Sequence, residues 1–284
     1  MPEMKQNLLL RIRVKQIRAT AAVMFLLQRI PGTRSVVKLL GFSNLCARVL
    51  VGYRRAFSNL KEAERCIDSY GFAMQEHPDV VRNHLALAKR ARPSDYAALF
   101  YLRHITAENA SVLDIGGSAG NLFYCYSQYL EFASSLSWTV YELPEVAQSG
   151  RQLAAARSES RLRFITDLRE CGAVDIMLIS GALHYFDETP VSFMERLPAK
   201  PRHVIVNRSP FLRGISAVAI QDAGSYLAAA RIVERDHFLR DMASANYELV
   251  DEWSAPELGL RLPLHPDLCV HAYSGFYFRL RNSE

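Results

Sequence analysis

The chain has 284 residues, of which 50% are hydrophobic and 22% are charged. This length and composition exclude a disordered chain and predict one large domain, or a smaller domain with an appendage. The five cysteines are widely spaced and never form a CxxC pair. They argue against a disulfide framework or a structural zinc site, and they favour a reducing, cytoplasmic compartment.

The positive charge is concentrated at the N-terminus. Residues 1–60 contain eleven lysines and arginines against one acid, whereas the remaining residues carry a small negative charge. The spacing of apolar residues predicts a helix at 5–30, with basic residues on a neighbouring stripe. Such a helix packs on its own domain or lies on an anionic membrane surface, which residues 1–30 would contact. No nucleic-acid recognition motif accompanies the charge, so no nucleic-acid partner is predicted. We treat residues 1–50 as a basic amphipathic helical head.

Residues 59–107 have a helical pattern, and 51–107 are predicted to form a helical cap region. From residue 111, short apolar runs alternate with longer amphipathic segments. The seven predicted strands are 111–115, 137–141, 162–165, 175–179, 203–207, 247–253 and 273–280. Helix-length segments separate the first five, so these are expected to be parallel, whereas the short, proline-rich connection between the last two predicts an antiparallel pair. We therefore predict an α/β, Rossmann-like seven-stranded sheet within a domain at 108–284, with the helical N-terminal region covering its site.

A glycine-rich turn follows the first predicted strand. Residues 112–121 read VLDIGGSAGN, a buried strand, a turn of small residues and the start of a helix. Gly116 and Gly117 allow the backbone to approach a ligand closely, and the free amides of the helix start favour an anionic group. A dinucleotide fingerprint requires G-x-G-x-x-G, which this turn lacks, and Asp114 would repel a diphosphate. An acid there suits a ligand with a positive ammonium or sulfonium centre.

These residues resemble motif I of class I S-adenosylmethionine-dependent methyltransferases, D/E-x-G-x-G-x-G, with Ser118 in place of the middle glycine. The next strand and its continuation, YELPEV, resemble motif II, whose terminal acid binds the ribose hydroxyls of the cofactor. The resemblance assigns that role to Glu142, 22 residues after Gly120. A solvated strand end is the alternative for this residue. The resemblance implies S-adenosyl-L-methionine as cofactor and the following contacts: Asp114, Gly116, Gly117, Ser118, Gly120, Glu142 and Leu143.

Two later segments resemble motifs III and IV of the same family. Asp167 and Leu168 stand where the family contacts adenine, although Asp167 is nearly as well suited to capping a helix. Ser180 and Gly181 follow the strand whose end faces the transferred methyl group. His184, just beyond them, is the candidate general base because it titrates near neutrality, and a structural histidine is its alternative.

The acceptor is expected to lie beyond the ends of the fourth and fifth strands. Tyr185, Asn207 and Arg208 are the predicted acceptor contacts, although Arg208 could equally form a surface ion pair. A base is needed only if the acceptor is a hydroxyl or a similarly weak nucleophile. No metal site is predicted.

A narrower resemblance concerns segments such as YELPEV, SGALHYF and VNRSP together with Gln221. They are similar to a bacterial branch of methyltransferases associated with surface-polysaccharide biosynthesis. We predict a small-molecule or a glycan or lipid-linked acceptor, methylated at oxygen, and, from the cysteine usage and the basic head, an enzyme that is cytoplasmic or peripheral at the inner face of the membrane. The alternatives are a nucleotide-dependent oxidoreductase and an inactive, membrane-associated scaffold. The sequence does not fix the acceptor, the methylated atom or the oligomeric state.

Overall fold

The computed structural model describes residues 52–69, 89–106, 109–222 and 227–281, together with scattered positions between 23 and 36. Most of the predicted helix at 5–30 and most of the basic head lie outside the described residues. Within the described part of the chain, no helix is both long and apolar enough to span a membrane.

The described residues form strands and helices that alternate through most of the chain. The strands are β1 (Gly52–Phe57), β2 (Ser111–Ile115), β3 (Ser137–Tyr141), β4 (Leu162–Ile165), β5 (Ile176–Ser180), β6 (His203–Ser209), β7 (Phe211–Leu212), β8 (Ala217–Asp222), β9 (Leu227–Glu234), β10 (Tyr247–Ala255) and β11 (Tyr273–Leu280). The α-helices are α1 (Leu60–Asp68), α2 (Asp95–Ile105), α3 (Asn121–Tyr126), α4 (Pro144–Ala156), α5 (Pro190–Met194) and α6 (Arg235–Ser244).

Seven of these strands form one sheet, in the order β10-β11-β6-β5-β2-β3-β4. Strands β2 to β6 are parallel to one another, and β11 is inserted antiparallel between β6 and β10. The chain order reverses between β2 and β5, which creates a switch point at the carboxyl ends of these strands. The prediction of a Rossmann-like α/β sheet with one antiparallel insertion is therefore confirmed.

The central strands are buried on both faces, which explains why their sequences are continuous apolar runs. In β2, Leu113 and Ile115 belong to the hydrophobic core on one face of the sheet, and Val112 belongs to the core on the other. In β6, Val204 and Val206 point to the first core and Ile205 to the second. Side chains that alternate between two cores fix the register, because a shift by one residue would exchange the two faces.

The connection from β10 to β11 is residues 256–272, and its only helical element is the short 3-10 turn Pro266–Leu268. A parallel crossover usually contains an α-helix, which this connection lacks, and the two strands pair antiparallel, as predicted. The other edge of β11 pairs antiparallel with β6, so β11 lies between β10 and β6.

A second, four-stranded sheet has the order β1-β8-β9-β7. It is composed of β1 from the N-terminal region and of the segment between β6 and α6. Helix α1 covers one face of this sheet through Leu60, Ala63 and Ile67, which contact Val218 and Ile220. The other face packs on the segment between β10 and β11.

The prediction that 51–107 is helical is corrected at 52–57, which forms β1. Strands β8 and β9 were likewise not predicted within 108–284. Their sequences, AVAIQD and LAAARIVE, are rich in alanine, which favours helices over strands, so their composition does not mark them as strands. Tertiary pairing decides their structure. The buried ion pair between Arg54 and Asp222 links β1 to β8.

Candidate active site

A cavity of about 330 Å³ lies at the carboxyl ends of β2, β5 and β6. Its wall also includes residues from the second sheet and from the start of α2. The lining residues fall into three groups: the glycine turn and α3 (Gly116, Gly117, Ser118, Asn121, Leu122, Cys125), the ends of β5 and β6 with the segment after them (Ser180, Gly181, His184, Tyr185, Arg208), and the surrounding elements (Tyr53, Arg90, Arg92, Asp95, Gln221, Leu258, Gly259, Tyr273). Its position at the topological switch point is where open α/β sheets bind ligands.

The glycine turn brings its backbone to the cavity. Gly116 has φ +67°, and a β-carbon there would lie 2.5 Å from Cβ of Ala182. Ser118 also adopts a left-handed conformation, with φ 53°. Gly116, Gly117 and Ser118 line the cavity, whereas Gly120 forms the N-cap of α3 and contacts Leu162. The first three therefore lie where a ligand would touch them, and Gly120 shapes the turn.

Glu142 fastens the end of β3 to this turn. Its Oε1 accepts a 3.0 Å hydrogen bond from the Ser118 amide, and its Oε2 accepts a 2.8 Å bond from the Leu143 amide. Burial raises the pKa of Glu142, and these two amide bonds oppose the rise. The bond to Ser118 thus holds Glu142 beside the cavity wall, and Glu142 is not a solvated strand end. Leu143 is exposed and caps α4.

Asp114 lies beneath the glycine turn and not in the cavity wall. It is fully buried, and a β-carbon on Gly117 would be 2.4 Å from its Oδ2. That oxygen accepts a 3.2 Å bond from Nε1 of Trp138, and Oδ1 has no hydrogen-bond partner among the described residues. Burial raises the pKa of Asp114 to about 7 and the charge of Glu142 adds to the rise, while the bond from Trp138 lowers it.

The motif III residues are placed apart from the described cavity. Asp167 caps the 3-10 turn Leu168–Glu170 by accepting a 2.9 Å bond from the Arg169 amide. It also pairs with the Arg169 guanidinium, which lowers the pKa of Asp167 to about 2. Leu168 is buried in the hydrophobic core. In this structure Asp167 therefore has the alternative role, that of a helix cap.

Ser180, Gly181, His184 and Tyr185 are brought together on one side of the cavity. His184 is 3% exposed, and its Nδ1 has no hydrogen-bond partner among the described residues. Burial, aided by the charge of Arg231, lowers the pKa of His184 to about 3. The ring is therefore neutral at pH 7. Its centroid lies 4.1 Å from that of Tyr185.

Of the two residues predicted at the end of β6, only Arg208 reaches the cavity wall. Asn207 is fully buried, and its Oδ1 accepts a 2.9 Å bond from Nε1 of Trp253. Arg208 is 7% exposed and lies 3.3 Å from the carboxylate of Asp95. The pair is buried, so the alternative of a surface ion pair for Arg208 is wrong.

Several lining residues were not predicted as site residues. Gln221 accepts a hydrogen bond from the Tyr185 hydroxyl, and the hydroxyls of Tyr53 and Tyr273 are 2.6 Å apart. Tyr53 and Gln221 belong to the second sheet, which the sequence pattern did not predict. Asp95 is the first residue of α2 and Arg92 lies just before it, in a segment where the sequence carries no recognised motif.

The structure has the strand order of the methyltransferase fold, with the glycine turn after its first parallel strand. No protein-family model matches the chain, and no curated protein matches it. Solved structures similar to it include a 1,6-didemethyltoxoflavin-N1-methyltransferase from Burkholderia thailandensis, a SAM-dependent methyltransferase from Aquifex aeolicus and the CcbJ methyltransferase from Streptomyces caelestis.

The three structures are 18%, 12% and 13% identical to this chain, with TM-scores of 0.44, 0.47 and 0.44. The matches cover 67%, 72% and 68% of this chain and 80%, 99% and 92% of the other chains. The fold assignment therefore rests on the strand order given above, and the activity is inferred from the site itself.

Proposed function

We propose that this protein is an S-adenosylmethionine-dependent methyltransferase. The proposal is based on the hydrogen bond that joins Glu142 to the glycine turn. A carboxylate at the end of β3 is fixed by the Ser118 amide, and the adjoining turn faces the cavity without side chains at Gly116 and Gly117. The residues that would hold the cofactor are Gly116, Gly117, Ser118 and Glu142 near the turn, with Ser180 and Gly181 at the end of β5.

The residues fit such a cofactor in shape and charge. A β-carbon at Gly116 or Gly117 would meet Ala182 or Asp114 within about 2.5 Å, so the turn requires glycine and leaves its backbone accessible. At the glycine turn itself, the carboxyl groups of Asp114 and Glu142 disfavour a diphosphate, whereas the arginines of the cavity come from β6 and from the residues before α2. The same argument disfavours the alternative of a nucleotide-dependent oxidoreductase. When bound, S-adenosylmethionine supplies an electrophilic methyl group.

For a hydroxyl acceptor, we propose that His184, in the cavity wall, accepts the proton of the hydroxyl. An oxygen that forms a new bond to carbon while it still carries its proton becomes strongly acidic. A base whose pKa is about 3 can therefore accept that proton as the bond forms. Tyr185 and Arg208 lie in the same wall and would orient the acceptor.

We further propose a small-molecule or a glycan or lipid-linked acceptor, methylated at oxygen. A cytoplasmic enzyme that associates with the inner face of the membrane through residues 1–30 would meet such an acceptor. We also propose that five further residues contribute to ligand binding, as predicted from the sequence: Asp114, Leu143, Asp167, Leu168 and Asn207.

The test is a comparison of ligands on the full chain. S-adenosylhomocysteine should raise the melting temperature in a concentration-dependent manner, whereas NAD and NADP should leave it unchanged. Stabilisation by NAD or NADP alone would support the oxidoreductase. Incubation with methyl-labelled S-adenosylmethionine and fractionated lysate then separates an enzyme, which labels one fraction, from an inactive scaffold, which binds the cofactor and labels none.

A further inference from the structure

The charges in the cavity wall are unbalanced. Among the described lining residues, Arg90, Arg92 and Arg208 are cationic at neutral pH and Asp95 is the one carboxylate. His184 is neutral there, so it adds no charge. The described side chains of the wall therefore carry an excess of two positive charges, and their position in a partly enclosed cavity strengthens their attraction for an anion.

Arg208 is the best-placed of these cations. It lies near the carboxyl end of β6, which is on the opposite side of β2 from β3 and Glu142. Its side chain is more than nine-tenths buried, and its Nε has no hydrogen-bond partner among the described residues. A β-carbon on Gly181 would lie 3.7 Å from this Nε, so the bare backbone of Gly181 leaves space beside the guanidinium.

Asp95 does not fully satisfy Arg208. The carboxylate accepts a 2.9 Å bond from the Tyr126 hydroxyl and a 2.8 Å bond from the Arg92 amide. Its contacts with Nη1 of Arg208 are longer, at 3.3 and 3.4 Å. The shorter bonds hold Asp95 at the start of α2, and the Arg208 guanidinium keeps donors available for another acceptor.

A second guanidinium faces the same region. Burial lowers the pKa of Arg92 and the positive charge of Arg208 lowers it further, against the opposing effects of Asp95 and Glu257. Two guanidinium groups that repel each other in a partly closed space are stabilised when an anion binds between them. Carboxylates and phosphates suit this arrangement, because both accept paired hydrogen bonds from arginine.

We propose that the acceptor is a hydroxylated compound bearing an oxyanion, a carboxylate or a phosphate, which Arg208 and Arg92 bind while its hydroxyl meets His184. Arg208 and His184 line the same cavity, so one small molecule can reach both. The proposal rests on the proposed methyltransferase function, and it names the class of acceptor that this function would use.

The first experiment measures oxyanion binding directly. The melting temperature of the full chain is followed with inorganic phosphate or acetate, at constant ionic strength with chloride, with and without saturating S-adenosylhomocysteine. We expect at least one oxyanion to stabilise the protein in both states. A preference for phosphate indicates an acceptor that bears a phosphate, and a preference for acetate indicates one that bears a carboxylate.

Three variants locate the site. Arg208→Gln and Arg92→Gln should each raise the half-saturating oxyanion concentration at least about tenfold, the usual scale for a lost charged hydrogen bond. Arg103→Gln, on the exposed face of α2, is the matched control and should behave as the wild type. Because Arg208→Gln leaves the buried Asp95 without its cation, Arg92→Gln keeps the test valid if that variant does not fold.

The results that overturn the proposal are specific. The oxyanion site is excluded if phosphate and acetate stabilise the protein no more than chloride does. It is also excluded if they stabilise Arg92→Gln as much as the wild type. If S-adenosylhomocysteine abolishes the oxyanion effect, and Arg208→Gln weakens this ligand but not 5′-methylthioadenosine, the arginines bind the carboxylate of the cofactor instead. Failure of S-adenosylhomocysteine to bind at all would reject the methyltransferase, while the oxyanion titration without it still decides whether the site exists.

The second experiment concerns the product. The methyl-labelled product formed from fractionated lysate should be retained on an anion-exchange column at pH 8. A labelled product that passes through the column uncharged contradicts the proposed acceptor class even if the enzyme is active.

Discussion

The carboxylate of Glu142 accepts a 3.0 Å hydrogen bond from the amide of Ser118. This bond joins the end of β3 to the turn after β2, so one side chain holds the glycine turn and, under the proposed function, would accept hydrogen bonds from a ligand with its remaining lone pairs. Ser118 has a positive φ, and a fixed partner for its amide stabilises that strained conformation.

We expect Glu142→Ala to weaken the binding of S-adenosylhomocysteine at least about tenfold, because each lost hydrogen bond to a charged group costs roughly 1.5–3 kcal/mol. Isothermal titration calorimetry measures the affinity. Glu145→Ala, an exposed acid in the first turn of α4, is the control and should bind normally. Unchanged affinity in a folded Glu142→Ala protein would remove the ribose assignment.

Gly116→Val should be more damaging than Glu142→Ala. The residue has φ +67°, which β-branched side chains avoid, and its β-carbon would lie 2.5 Å from that of Ala182. We expect loss of detectable cofactor binding and a lower melting temperature. Gly172→Ala, where a β-carbon meets nothing within 4 Å, should be close to wild type. Normal binding by Gly116→Val would place the cofactor elsewhere.

His184→Ala should slow transfer to a hydroxyl acceptor by about 10²-fold or more while the affinity for S-adenosylhomocysteine is kept. Because the pKa of His184 is about 3, it does not titrate between pH 5.5 and 8. The ratio of wild-type to variant rates should therefore be constant over this range. The exposed His271 supplies the control His271→Ala. A fall in cofactor affinity or in melting temperature would favour a structural role for His184.

Asp114 should make the protein less stable as the pH rises. Its pKa is raised from 3.8 to about 7, so between these values the unfolded chain is ionised while the folded protein keeps the proton. Stability contributed by this group is thus lost with increasing pH, by about 2 kcal/mol from pH 5 to pH 7.

Urea unfolding of Asp114→Asn at the two pH values tests this effect. The variant should lack that part of the pH dependence, whereas Asp68→Asn, at an exposed position at the end of α1, should retain it. The same slope in the wild type and in Asp114→Asn would show that the carboxyl group titrates normally.

The basic head should bind anionic membranes. We expect the full chain to co-sediment with vesicles containing phosphatidylserine at low salt and to be released as salt rises, since each Lys or Arg near the surface contributes ~1 kcal/mol. Replacing Arg11, Lys15 and Arg18 with Gln should reduce binding at least about tenfold and leave the affinity for S-adenosylhomocysteine unchanged.

The control for this experiment replaces three exposed cations of the body, Lys61, Arg103 and Arg202, with Gln. It removes the same charge and should still co-sediment. If the wild-type chain does not bind anionic vesicles at low salt, the first helix is better interpreted as part of the packing of the domain or of an oligomer.

The sequence alone determined the seven-stranded sheet and the glycine turn. Strands buried on two faces must be continuous apolar runs, and a turn with positive φ and close neighbours must use small residues. Both features can therefore be recognised from a short stretch of sequence. The end of β3 could be located in the same way. For that reason Glu142 and the turn from Gly116 to Ser118 were predicted correctly as neighbours.

Only the tertiary structure decided what surrounds the acceptor side of the cavity. Strand β1 forms its ladder with β8, about 165 residues later, and neither sequence has a strand pattern of its own. That pairing places Tyr53 and Gln221 beside Tyr273 and Tyr185. The contact of Arg208 with Asp95 spans 113 positions. Such contacts depend on which distant surfaces meet when the chain folds, and no local pattern of residues encodes them.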